Sequence, residues 1–477
     1  MPTLAQLPAR VFFFDVQRLY IPVSLFSCIL ASLAVAVTRL PLGLSTVQLV
    51  RNHHMPQDPT QVPATPPATP PPTPPATPPP TYSQHQQAKL LYVIVFLATL
   101  AGLFVMPLVP VYATSLGASL GVVGLLDAAA FALPFFLAIP FGSFVDRFGP
   151  RTLISLGAAG FAISPLMVLL SETLAGLAMT QVLLGVSHLS LIVASQTLIT
   201  SLASGRQQER YMGWYAMMIS SAQMLGPLVG GSVADALSFR AVFVLACVLP
   251  VIPLGLSRFL TKALVRTSAT HVRPNIGNVR SVLGIRGAQL AILSSCSILL
   301  AQRAYSTFFP VLLDNLGYSV SAIGLLLSLR ALSSTLIRPF IPHVVSLFKT
   351  RSHTLFIVMT AIGGAIIGAG FSYTIPWLMF FTLLMGACGG ISQPVSVLMM
   401  ANAVADSERG FALGLRLMGN RLAQVTSPLV FGVVADVWRL EGAFLGAGLA
   451  AMSVAMWFRT LMPKQLSPLV TEHATDD

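Results

Sequence analysis

From about Leu90 onward the chain alternates apolar runs of about 17 to 25 residues with short polar gaps. Each run is long enough to cross a ~30 Å hydrocarbon core as a helix. The pattern predicts twelve spans, near 90–112, 119–144, 152–170, 174–200, 211–234, 241–257, 288–312, 319–343, 354–371, 376–402, 410–435 and 442–458. The longest gap, about 258–287, carries Arg258, Lys262, Arg266, Arg273, Arg280 and Arg286 and divides the set into six plus six. An all-α membrane protein is expected, with one six-helix bundle over 89–258, a loop over 259–287, a second bundle over 288–464 and a tail over 465–477.

The halves repeat one another. PVYATSLGASLGVVGLLDAA (110–129) matches PVLLDNLGYSVSAIGLLLSL (310–329), aligning Pro110, Gly117 and Gly124 with Pro310, Gly317 and Gly324. Further on, QMLGPLVGGSVAD matches QVTSPLVFGVVAD, pairing Gln223, Pro227 and Asp235 with Gln424, Pro428 and Asp436. Ordered matches at nearly one offset indicate a duplicated unit, and parallel repeats of this kind place substrate at their interface near the membrane midplane.

Charge then fixes an expected orientation. Alternate gaps on one side hold Lys89, Arg147, Arg151, Arg206, Arg210, the six residues of the central loop, Arg338, Lys349, Arg351, Arg409, Arg416, Arg459 and Lys464, whereas the other side holds only Arg240 and Arg439. Translocated short loops are poor in Lys and Arg, so both ends of the twelve-span unit and its central loop are expected in the cytoplasm. Only 9% of residues are charged and 55% are hydrophobic, with a mean hydropathy of +0.79, against about 25% charged in a soluble domain. The net charge of +12 therefore reads as topology signal and not as a nucleic-acid surface. The cysteines, Cys28, Cys247, Cys296 and Cys388, stand singly inside apolar runs and imply neither a disulfide framework nor a zinc site.

Residues 1–88 form an N-terminal extension of another kind. An apolar stretch at 18–37 is long enough to span, and 59–81 is a proline-rich linker of extended, solvated character. Three readings stand side by side for it: a signal-anchor helix, a cleaved presequence, or upstream sequence outside the translated protein if Met55 is the start.

The gap after the second span reads GSFVDRFGPR. It resembles the signature loop of the major facilitator superfamily, G-x-x-x-D-R-x-G-x-[RK], through Gly142, Asp146, Arg147, Gly149 and Arg151. The resemblance covers about 88–464 and implies two six-helix bundles that rock about a central cavity. Glycines in the loop would let helix ends approach closely. Asp146 would accept from a helix N-terminus or pair with a basic residue of the facing bundle, making the loop a gate. The equivalent PHVVSLFKTR, 342–351, keeps only Arg351, so the gate is expected to be asymmetric. In the fifth span GPLVGG, through Gly226, Pro227, Gly230 and Gly231, resembles the core of the motif of proton-coupled drug and metabolite antiporters. Two positions depart from that pattern. Ala222 stands where the earlier glycine is expected, and Gln181 replaces the basic residue those antiporters often carry four positions before Gly185.

Ionisable groups deep in a span are costly and mark functional sites. Of fifteen Asp and Glu, only Asp127 lies deep, about 12 Å into the second span. Arg303, Arg330 and Arg421 are similarly deep, and their repeat equivalents are Leu103, Ala130 and Ser220. Guanidinium suits bidentate recognition of carboxylate or phosphate, so the three arginines form a candidate anion-binding wall, extended by Asn420, Gln424 and Gln223. Asp127 and, more weakly, His188 are candidate proton carriers. The competing readings are structural: a static Asp127–Arg pair, snorkelling arginines, a satisfied histidine, interhelical bonds for Gln223 and Gln393, and plain packing for Tyr305, Phe308 and Phe309.

The expected activity is proton-coupled efflux of a small anionic metabolite or drug, a carboxylate-rich compound such as a siderophore being one example. Proton-linked uptake of an anionic nutrient is the alternative, and a non-transporting sensor or scaffold the reading from another class. No HExxH, Ser/His/Asp or phosphate-cradling constellation stands in the spans, so neither an enzyme nor a cofactor is expected. The expected partners are a small anion, protons and the bilayer of a plasma or bacterial inner membrane, with a monomer as the working unit.

Overall fold

The computed structural model describes residues 84–261, 276–348, 350–405 and 408–462. The expectations for 18–37, 59–81 and 465–477 lie outside the described residues.

The first crossing combines α1 (Gln84–Val105) and α2 (Val109–Ser115), and four long helices follow: α3 (Leu120–Phe148), α4 (Pro150–Ser171), α5 (Leu174–Ser201) and α6 (Gly205–Ala236). The sixth crossing is α7 (Phe239–Val248) with α8 (Val251–Leu256). After the connecting α9 (Ile276–Gly284) come α10 (Arg286–Asn315), α11 (Val320–Leu336) running on into α12 (Ile341–Leu347), α13 (Arg351–Gly370), α14 (Ile375–Ala403) and α15 (Arg409–Leu461). Helix α15 holds two crossings, because Trp438 and Arg439 leave helical geometry, Arg439 with φ 62°. Ten segments are long and apolar enough to cross a membrane. The break in α15 adds an eleventh crossing and the less apolar α6 the twelfth, giving six before the central loop and six after it.

The termini follow from local chemistry. Ser119, Thr173, Ser238, Ser319 and Thr350 each accept from the backbone N–H three residues on, satisfying a first-turn donor that has no helical partner. The duplication extends to a turn. Gly117 and Gly317 take φ 82° and 79°, and in both the following residue donates five positions back, Ala118 to Ala113 and Tyr318 to Leu313, each at 3.0 Å. Only glycine adopts that conformation without Cβ strain, which accounts for its recurrence in ATSLGAS and LDNLGYS.

The bundles meet along two seams, α3 against α15 and α6 against α11. Large apolar side chains such as Leu125, Phe136 and Leu170 point outward, where hydrocarbon and not water is the solvent. The seams are tight at one end only. A Cβ on Gly124 would overlap the Pro428 carbonyl oxygen and lie 3.2 Å from the Gly432 Cα. On the other seam a Cβ on Gly324 would overlap the Pro227 carbonyl oxygen and lie 3.4 Å from the Gly231 Cα. Toward the opposite ends of the same helices, Gly142, Gly213, Gly410 and Gly414 have open space around them. The end near Gly117 and Gly317, called here the far face, is thus closed. The end that carries Gly149, the turn face, is splayed.

Candidate functional site

Helix α3 enters from the far face and presents Asp127, 3% exposed, to the opposite bundle. There α10 supplies Arg303, whose Nε donates to Asp127 Oδ2 at 2.8 Å while its Nη2 donates to Oδ1, a two-pronged ion pair. Thr307, one turn along α10, donates from Oγ1 to Oδ2 at 2.5 Å. Phe131, one turn along α3, lies under the guanidinium with 4.2 Å between Arg303 Cζ and the ring centroid. The carboxylate is therefore fully engaged, and the cation is sandwiched between an anion and an aromatic face. Among the described residues this is the one buried ion pair, and it joins the two bundles.

The other two deep arginines have no acidic partner among the described residues. Arg421 donates from Nη1 to Gln424 Oε1 at 3.3 Å, and its charge acts on the partly buried His188 of the facing bundle. The His188 ring stands edge-on to Phe161, with centroids 6.4 Å apart. Arg330 has a buried Nε without a hydrogen-bond partner and lies within electrostatic reach of Arg303 and Tyr305. Three partly buried guanidinium groups thus stand against one buried carboxylate, and one of them retains an unused donor, a charge balance that suits an anion.

The remaining expectations separate. Asn420 is turned into its own bundle, accepting from Ser295 Oγ at 2.6 Å, so it extends no surface toward the other half. Gln424 stays beside Arg421, and Gln223 is exposed on α6. Tyr305, Phe308 and Phe309 are buried, and Tyr305 shares a 2.7 Å hydrogen bond with Thr382 while its ring stacks on Phe309. Packing, and not cavity lining, is their role. Gln393 is engaged by Arg416, and Gln181 is fully buried with neither amide atom hydrogen-bonded among the described residues.

Arg416 corrects the reading of it as a gap residue. It is 3% exposed, with Nε donating to Ser396 Oγ at 3.0 Å and Nη2 to Gln393 Oε1 at 2.6 Å. Arg338, also placed in a gap, reaches across a seam to Ser220 Oγ at 3.3 Å. Thr307 and Phe131, the supports of the ion pair, were not singled out. Their one sequence signal is a spacing of four residues from Arg303 and Asp127, which puts each on its partner's face of the helix.

The GSFVDRFGPR turn is a single-residue joint. Gly149 ends α3 and begins α4 with φ 80° and ψ 150°, and Pro150 starts α4. A glycine is needed here for its backbone angles, not for close approach, and Gly142 faces open space instead of a neighbouring helix. Asp146 and Arg147 are exposed, Arg147 lies 5.4 Å from the Phe148 ring centroid, and the Arg151 carbonyl accepts from Ser155. In GPLVGG, Gly226 and Gly230 press on Leu103 and Phe104 of α1, Gly231 faces Val320 and Gly324 across the seam, and Pro227 is buried.

Comparisons with known proteins agree with this architecture. The sequence matches the family described as Major Facilitator Superfamily over residues 91–281 and 291–474. It is 22% identical over 378 residues to the quinolone resistance protein NorA of Staphylococcus aureus (strain MSSA476), covering 78% of this chain and 96% of that protein. It is 23% identical over 367 residues to multidrug resistance protein 2 of Bacillus subtilis (strain 168), covering 74% and 90%. Among solved structures, a bacterial homolog of the human lysosomal transporter Spinster, in an inward-facing and occupied conformation, superposes with a TM-score of 0.63 at 14% identity, covering 79% of this chain and 95% of that one. The nucleoside transporter NupG superposes with a TM-score of 0.66 at 14% identity, covering 79% and 100%. At such identities the two structures share the fold.

Proposed function

Because the chain belongs to the Major Facilitator Superfamily, we propose that it exports a small anionic metabolite or drug in exchange for protons, by alternating access. The chain is a multi-pass membrane transporter for a small substrate. The proton-coupled export of an anion is carried by the Asp127–Arg303 pair, which ties the bundles together in the state closed at the far face. Two events break that tie. A proton on Asp127 removes its charge, and a cargo anion beside Arg330 and Arg421 draws Arg303 away from it. The empty, deprotonated carrier stays locked, and either ligand releases it. Exchange follows if each ligand makes a separate crossing. The basic gaps support placing the turn face in the cytoplasm, so cargo loads there and leaves at the far face. The printed names of the relatives, quinolone resistance and multidrug resistance, support export as the direction.

The same ion pair supports a second reading, proton-linked uptake, in which the anion takes Arg303 while Asp127 takes the proton, so that both ligands bind together. The discriminating experiment uses everted vesicles and the anion whose level in the medium differs between wild-type and deletion cells. Acidifying the lumen drives accumulation if protons are exchanged for cargo, and drives loss of preloaded cargo if they travel together. A neutral or cationic cargo, with Arg303→Ala, Arg330→Ala and Arg421→Ala all silent, refutes the anion reading.

A further inference from the structure

Both halves carry one pattern twice. The fifth span reads Pro227, Gly231, Asp235 at four-residue intervals, and the eleventh reads Pro428, Gly432, Asp436. The spans they meet read Ser319 with Gly324, and Ser119 with Gly124. Four-residue spacing keeps each triplet on one helix face, and that face is the one in the seam. At both crossings a glycine of one bundle lies against a glycine of the other and a proline carbonyl. One turn beyond each crossing, a carboxylate reaches the start of a helix of the opposite bundle. Asp235 Oδ1 accepts from Val320 N at 3.0 Å and its Oδ2 from Ser321 N at 2.8 Å, while Asp436 Oδ2 accepts from Ser119 Oγ at 2.9 Å. The first-turn N–H groups of α11 have no intrahelical acceptor, and a negative charge is favoured there.

We propose that Asp235 and Asp436 are paired latches that hold the far face shut, Asp235 by capping α11 of the other bundle and Asp436 by engaging the hydroxyl of Ser119, the N-cap residue of α3. A cap ordinarily sits on its own helix and is made once. These two break whenever the bundles part, so they bias the resting conformation and not the stability of either bundle. Opening is reversible because both sides lie at the aqueous end, where water replaces the lost bonds. The latches are unequal: Asp235 engages two backbone donors and Asp436 one hydroxyl, so Asp235 is the stronger. The inference concerns conformational bias alone and stands whichever cargo or coupling is found.

The test measures a spin-label distance across the far face in the full-length chain, between Ser115→Cys and Asn315→Cys, with Cys28, Cys247, Cys296 and Cys388 replaced by Ser. Both labelling sites are exposed and end the first crossing of each half. The unaltered seams give one short distance. Asp235→Ala and Asp436→Ala each raise the ratio of long to short distances, about fivefold at the weaker latch and more at Asp235. The effects multiply in the double variant, because the seams lie on separate helix pairs. Asp235→Asn, which keeps one acceptor and loses the charge, falls between. Asp314→Asn, at the same face but outside both seams, leaves the ratio unchanged. If the double variant does not fold, Ser119→Ala removes the hydroxyl that Asp436 engages, together with the α3 cap within its own bundle, and gives a smaller shift in the same direction. An unchanged distribution in the double variant, an equal shift with Asp314→Asn, or no shift with Ser119→Ala overturns the proposal.

Discussion

Replacing Asp127 by Asn leaves the Arg303 charge buried without a counter-ion. Losing one partner of a fully buried ion pair costs about 3–5 kcal/mol, whereas an exposed pair is worth about 0.2–1 kcal/mol. Here the carboxylate side chain is 4% exposed but the guanidinium is 21% exposed, and the cation keeps the Phe131 face. The expected cost is therefore intermediate, about 2–3 kcal/mol, and Asn still accepts from Thr307. Arg303→Met should cost a similar amount, because it strands the carboxylate. The double variant Asp127→Asn with Arg303→Met removes both charges and should recover most of the loss. Reversible unfolding in mixed micelles, read as a double-mutant cycle, should give a coupling energy of about 4 kcal/mol, the two single losses less the small cost left in the double variant. Residues out of contact add within about 0.5 kcal/mol. Additivity at that level would show that the pair does not join the bundles as described.

Other substitutions test separate links. Gly149→Ala should destabilise by about 1–3 kcal/mol, since φ 80° with ψ 150° is a glycine conformation, whereas Gly142→Ala in the same motif should stay within about 0.5 kcal/mol because its Cβ meets open space; unfolding midpoints of the two variants check this. Gly185→Ala and Gly386→Ala each push a Cβ into a helix carbonyl, of Ala130 and Arg330 respectively, and should each lower stability by about 1–3 kcal/mol. Arg421→Ala should raise the KM for an anionic cargo more than it lowers kcat, measured in everted vesicles. Arg416→Lys should not restore the fold stability lost in Arg416→Ala, because one ammonium cannot reach Ser396 and Gln393 with the fork that now spans them.

The legible part of the molecule was whatever hydropathy and spacing encode locally. The twelve crossings, the six-plus-six division and the duplicated turn at Gly117 and Gly317 all rest on contacts a few residues apart. Long-range pairing was the obscure part. Asp127 and the deep arginines stood out as candidates, but which arginine meets the carboxylate depends on how α3 and α10 are juxtaposed across 176 positions of chain. Arg416 was misjudged because distance from a predicted span end stands in poorly for burial. Its helix begins at Arg409, and Ser396 and Gln393 of α14 cover it two turns in. Asp235 and Asp436 were visible as a repeat match, but their partners lie on the other bundle, where no local pattern points.

The central claim is that Asp127 carries the proton that drives transport. Purified protein in liposomes, with the anion identified in the medium comparison and an imposed pH gradient, tests it most directly. Asp127→Asn should retain counterflow of labelled anion, because Arg330 and Arg421 still bind it, and should lose accumulation driven by the gradient. Gradient-driven accumulation by Asp127→Asn equal to that of the unaltered protein would contradict the account.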